Sequence, residues 1–313
     1  MFRREHLRDL PSNFCRWMKT ATIENEIAPV RPAADLAELV KARLTLLVLL
    51  TTAVGFYLGA ANPINYLSLF HAIFGTALAA ASAAALNQWW ERRADSLMLR
   101  TKQRPIPAGR MLPRHAFVIG LALAIAGIMY LALMCNALSA WLAGLTILLY
   151  IFAYTPLKKI STTNTLVGAI PGAIPPMIGW AAARGKIDIG AWSLFAILFL
   201  WQMPHFFALA WMYRADYARA GFRMMSNEDE TGLRTSSQGV LFCILLLIVA
   251  SGPGYLGLVN AIYVPIALVL SGCFIVMAMR FHGRRTPRDA RLLFLTSIIY
   301  LPLLLAALVL TKL

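Results

Sequence analysis

Three short stretches combine residue types that could do chemistry on an anionic substrate. The first runs from Asn87 to Pro105 and carries Asn87, Glu91 and Asp95 at intervals of four. On a helix that spacing puts all three side chains on one face. Each offers a hard oxygen, a donor that suits Mg²⁺ and leaves coordination sites for water and phosphate oxygens. Arg92, Arg100, Lys102 and Arg104 lie in the same stretch, and such cations grip phosphate through charge-assisted hydrogen bonds. Acids for a metal followed by bases for phosphate describe a diphosphate site. The plainer alternative is a solvated helix end with surface ion pairs, which stabilise little.

The second stretch holds Tyr154 and Lys158, four apart with Pro156 between them. They would share a helix face, but a proline disfavours a regular helix there. Tyr and Lys are also ordinary anchors at a membrane boundary. The third runs from Trp201 to Gly221 and contains His205 and Asp216. On a regular helix the two would share nearly one azimuth, with His205 roughly 16 Å deeper. An ionisable group at that depth is a functional candidate; a histidine satisfied by a local hydrogen bond is the alternative. His71 and His115 have no such companions and read as structural.

These stretches need elements to hold them, and the composition says which kind. The chain of 313 residues is 59% hydrophobic and only 14% charged, with a net charge of +15. Soluble domains carry about 25% charged residues, so an ordinary soluble enzyme is not expected and a disordered chain is excluded. A membrane helix needs about 20 mostly apolar residues. Nine stretches qualify: 40–61, 64–89, 115–134, 137–154, 164–183, 189–212, 237–256, 259–280 and 291–311. The predicted fold is therefore all-α, a polytopic bundle of nine transmembrane helices. With alternating sides, all but Arg184, Lys186 and Lys312 of the 29 Lys and Arg fall on one face. The positive-inside rule makes that face cytoplasmic, N-terminus included. The charge thus reflects topology, and nucleic acid is not an expected partner. All three chemical stretches fall on the cytoplasmic face, at the ends of the second, fourth and sixth spans.

Residues 1–38 read as a mobile basic cytoplasmic tail, with a short interfacial helix near Phe14–Met18, and residues 39–313 as the membrane domain. The tail has no apolar core of a secretory signal, and it contains Glu5, Asp9, Glu24 and Glu26, which transit peptides avoid. Cys15, Cys135, Cys243 and Cys273 show no metal or redox spacing.

The combination resembles the UbiA-type intramembrane prenyltransferases, and within them the branch that farnesylates protohaem IX. The superfamily shows an Asn/Asp-rich motif after helix 2, a YxxxK after helix 4 and an Asp motif after helix 6. This chain has Asn87xxxGlu91xxxAsp95, Tyr154xxxLys158 and Asp216 at those places. The branch resemblance rests on Asp95xxMet98xArg100Thr101xxArg104Pro105, on the Asn164–Trp180 stretch with its Gly168, Gly172, Pro175 and Pro176, on Trp201Gln202xPro204His205Phe206, and on Asp216Tyr217xxAla220Gly221. It spans roughly residues 39–311. The chain departs from the pattern at Ala42, where a proline is usual, and at Met224-Met225-Ser226. It departs also at Ala220 and Met212, which leave Asp216 without a second acid four residues away.

The resemblance implies farnesyl transfer from farnesyl diphosphate to the 2-vinyl group of haem B, with water added, giving haem O and diphosphate. It implies Mg²⁺ held by Asn87, Glu91, Asp95 and Asp216, and diphosphate clamps at Arg43, Arg92, Arg100, Arg104 and Lys158. Asp95, Tyr154 and Lys158 are the implied catalytic residues. His205 is the candidate haem contact, through iron or through a propionate. Haem B is a substrate here, not a cofactor. A haem A synthase or terminal oxidase is the implied assembly partner, and a bacterial inner membrane the implied location; a mitochondrial inner membrane would show the same charge pattern. Another aromatic or tetrapyrrole acceptor is the alternative within the fold, and a transporter the alternative outside it.

Overall fold

The computed structural model describes residues 32–313 and is helical nearly throughout. A short helix α1 (Pro32–Leu39) leads into α2 (Ala42–Gly59) through Lys41, whose φ of 49° is left-handed. The chain continues through α3 (Tyr66–Leu97), α4 (Pro113–Met134), α5 (Ala137–Leu157), α6 (Asn164–Arg184) and α7 (Ile189–Met212). The short α8 (Arg214–Arg219) follows, then α9 (Leu233–Tyr255), α10 (Tyr263–Arg284) and α11 (Pro287–Leu310). Among the described residues eight helices are long and apolar enough to cross a membrane, and nine if α1 and α2 form one bent span. Every span expected from hydropathy has its helix. Large apolar side chains such as Leu46, Leu133, Phe152, Ile248 and Val269 are exposed on the outside of the bundle, as a lipid-facing surface requires.

Helix–helix contact here cannot rely on expelling water, so close approach of small residues takes its place. A methyl group on Gly55 would sit 2.0 Å from the Pro176 carbonyl oxygen, and one on Gly179 would sit 1.9 Å from that of Thr52. Backbone therefore meets backbone where α2 crosses α6. At one end of the bundle Lys312 Nζ donates to the carbonyls of Tyr57 (2.7 Å) and Ala60 (2.8 Å), tying the last residues to α2.

Helix α3 runs past the expected end of its span at residue 89 to Leu97, so Asn87, Glu91 and Asp95 share the one helix that their spacing predicts. Helix α5 passes through Pro156 because Leu149–Tyr154 is wound as a π-helix, in which the Thr155 N–H reaches the Tyr150 carbonyl. That wider turn accommodates the proline in a helix that a regular ladder would break.

The tail expected over residues 1–38 lies outside the described residues up to residue 31, as does the interfacial helix near Phe14–Met18. Its final part is α1, docked on the bundle. Arg110 bonds Asp35 at 2.8 Å, and Gln88 Nε2 donates to the carbonyls of Glu38 (2.9 Å) and Leu39 (2.8 Å). A helix docked on the bundle thus lies ahead of the boundary expected at residue 39.

Candidate active site

Helix periodicity brings Asn87, Glu91 and Asp95 to one face of α3, and packing then buries them: 1%, 7% and 0% exposed. Buried charge must be paired, and each of the three has found a partner from another part of the chain. Asp95 accepts two bonds of 2.8 Å from Arg104, on the loop that follows α3. Glu91 accepts from Lys158 Nζ at 2.7 Å. Asn87 accepts from Lys41 Nζ at 3.1 Å and donates to Thr155 Oγ1 at 3.2 Å. Thr101 Oγ1 donates to the Asp95 carbonyl at 2.9 Å, folding the loop back over the helix end.

Tyr154 and Lys158 do share a face: Lys158 Nζ stands 4.4 Å from the centre of the Tyr154 ring and 5.6 Å from that of Phe222. Burial alone would lower the pKa of Lys158, but the Glu91 carboxylate, with Tyr154 and Tyr150, outweighs it and holds the ammonium above its ordinary value. Arg223 N–H donates to the Lys158 carbonyl at 2.7 Å, and Asn164 Nδ2 to that of Arg223 at 2.8 Å. The segment after α8 is thereby laced to the end of α5. Ala94 and Met98 pack with Ala210, Ala220, Phe222 and Met224 in a small apolar cluster, which joins the ends of α3 and α7. The three stretches therefore meet.

Asp216 joins them differently from expectation. Its two oxygens accept from the backbone N–H groups of Leu99 (3.3 Å) and Arg100 (3.4 Å), and Arg219 pairs with it from the next turn. Among the described residues no three His, Cys, Asp or Glu side chains gather closely enough to hold an ion. Asn87, Glu91 and Asp95 line one face of α3 and Asp216 stands beyond the loop that follows, each engaged with a cationic or N–H partner. Asp216 anchors the loop that carries Arg100 and Arg104. The trio on α3 fits Mg²⁺, because that ion is held through one or two carboxylates, with water and substrate phosphates completing its shell.

The expected clamps divide. Arg104 and Lys158 are inside the cradle. Arg100 is exposed at its rim, stacked over Tyr213 at 5.1 Å and bonded to the Tyr217 hydroxyl at 3.4 Å. Arg92 is turned away, donating to the Trp89 carbonyl at 2.7 Å and lying over that ring. Its place one residue past Glu91 puts it about 100° round the helix. The Arg43 side chain lies outside the described residues. Lys41 was missed. The sequence marks it only as a charge at a helix start beside Ala42, yet it shares its surroundings with Arg104, Lys158 and Glu91, whose charges act on it. No periodic signal links it to Asn87, 46 residues away.

His205 is not in the cradle. It packs between α7 and α11, with Nδ1 2.7 Å from Ser297 Oγ and its ring among those of Trp201, Phe206 and Phe294.

Comparison with known proteins bears on the family and the fold. The model of the UbiA prenyltransferase family matches residues 48–304. The chain is 43% identical over 287 residues to "Protoheme IX farnesyltransferase" of Solibacter usitatus, covering 89% of this chain and 98% of the relative. It is 40% identical over 270 residues to the mitochondrial protein of that name from Homo sapiens, covering 86% of this chain and 60% of the human one. In fold it is similar to a digeranylgeranylglyceryl phosphate synthase, with a TM-score of 0.75 at 15% identity over 89% of this chain and 98% of the other. It is also similar to a UbiA homologue of Archaeoglobus fulgidus bound to GPP and Mg²⁺, with a TM-score of 0.63 at 15% identity over 88% and 99%.

Proposed function

The chain belongs to the UbiA prenyltransferase family, and from that premise we propose that it farnesylates haem B to haem O. The allylic carbon of farnesyl diphosphate leaves its diphosphate oxygen and bonds to the terminal carbon of the 2-vinyl group. Water adds its oxygen to the inner vinyl carbon and releases a proton, so the products are haem O, diphosphate and H⁺. The observation that carries this reading is identity of 43% across nearly the whole chain to a protein of that activity.

The residues supply the electrostatics. Breaking the allylic C–O bond concentrates negative charge on diphosphate, and a site catalyses by stabilising that charge more in the transition state than before. Arg104 and Lys158 now neutralise Asp95 and Glu91; with substrate present they turn to the diphosphate oxygens, and Lys41 and Arg100 add charge from either side. Asn87, Glu91 and Asp95 would hold Mg²⁺, which when bound would supply Lewis-acid stabilisation of the departing diphosphate. Tyr154 presents its ring face beside Lys158, where it orients that ammonium and flanks the allylic cation. Apolar helices around the farnesyl tail keep bulk water from the cation.

The basic loops support a cytoplasmic site in a bacterial inner membrane, where a haem A synthase or terminal oxidase is the natural recipient of the product. The test incubates the purified protein with haem B, farnesyl diphosphate and Mg²⁺ and identifies the pigment by mass. Haem O, dependent on Mg²⁺, is expected. Prenylation of a different aromatic or tetrapyrrole ring, with haem left unchanged, would overturn the acceptor.

A further inference from the structure

The surroundings of His205 determine which of its nitrogens carries the proton. Ser297, fully buried on α11, has its Oγ 2.5 Å from the Phe294 carbonyl oxygen and 2.7 Å from His205 Nδ1. A hydroxyl has one proton to donate, and a carbonyl oxygen has none. Two oxygens this close need that proton between them, so Ser297 donates to Phe294. Only lone pairs of Oγ then face His205, and Nδ1 must be the protonated nitrogen. In the neutral ring the lone pair then lies on Nε2.

Two further observations give that lone pair a purpose. Trp201 Nε1 donates to the Ser297 carbonyl at 2.9 Å, which ties the acceptor to the helix that carries His205. Trp201 and Phe294 also flank the imidazole, with ring centres 5.3 and 4.7 Å away. An aromatic setting around a neutral imidazole suits a flat apolar macrocycle whose iron accepts nitrogen. A metal-binding histidine commonly gives its other N–H to a fixed acceptor, which sets the tautomer and raises its basicity.

We propose that Ser297 is a positioning residue that holds His205 as the Nδ1–H tautomer so that Nε2 ligates the iron of the haem acceptor. This rests on the haem reading above and favours iron over a propionate as the partner of His205.

Haem B titrated into the full-length protein in lipid nanodiscs, followed by absorption and resonance Raman of the ferrous complex, tests it. The wild type is expected to show an iron–imidazole stretch. Ser297→Ala should lower that frequency and weaken haem binding by about tenfold or more. Ser297→Thr, which keeps the hydroxyl, should restore both, and His205→Ala should abolish the stretch. An unchanged stretch and affinity in Ser297→Ala, or a retained stretch in His205→Ala, would overturn the proposal. So would a wild type that makes haem O without imidazole ligation, which leaves the farnesyltransferase reading standing. A wild type that neither binds nor farnesylates haem would remove both.

Discussion

Glu91 and Lys158 meet at 2.7 Å with side chains only 7% and 12% exposed, so neither tolerates loss of the other. Removing one partner of such a pair costs about 3–5 kcal/mol because a buried charge is left alone. Lys158→Met should therefore lower the melting temperature, whereas Glu91→Gln combined with Lys158→Met should recover much of that loss. Neither variant should recover activity, since the cation for diphosphate is gone in both; thermal unfolding and haem O yield measured side by side separate the two effects. Asp95→Asn keeps the volume and one acceptor for Arg104 but removes the charge. Turnover should fall by about 10²–10³, a magnitude usual for losing one preorganised electrostatic group, with the fold intact by gel filtration.

At the scale of elements, the crossing of α2 and α6 depends on hydrogen atoms where other residues carry Cβ. Gly179→Val should prevent this close approach, because even the first added carbon would lie 1.9 Å from the Thr52 carbonyl oxygen; the expected outcome is aggregated protein in detergent. The start of α9 depends on Asp229, which accepts from the Thr235 N–H at 2.7 Å and from Thr231 Oγ1 at 3.3 Å. Burial would raise its pKa, but these bonds outweigh it and hold the carboxyl below the usual range. A depressed folded-state pKa means that the stabilisation is present above the unfolded value and lost as pH falls through the folded one. Hydrogen exchange at Thr235 should therefore accelerate in that acid window, and in Asp229→Asn the dependence should disappear.

For the whole molecule, the arrangement of charge makes a claim about sides. Lys186 is exposed between α6 and α7, and Lys159 is exposed just past α5. With the four native cysteines replaced, Lys186→Cys should react with an impermeant maleimide added to intact cells, and Lys159→Cys only after lysis. The reverse pattern would invert the orientation and move the cradle to the outer face. The same alternation explains why the spans were readable: hydropathy averaged over about 20 residues reports the bilayer's thickness, and the Lys/Arg bias reports its sides.

The chain's own order of residues determined the helical class, the spans and the stripe of Asn87, Glu91 and Asp95, because each follows from a local period or a local transfer free energy. Tertiary structure decided which charges meet. Lys41 reaches Asn87 across 46 positions, and Asp216 reaches the Leu99 N–H across 117. Arg92 leaves the cradle, and His205 finds Ser297 on another helix. Such contacts depend on how helices cross and how loops close, and a one-dimensional pattern carries no record of either.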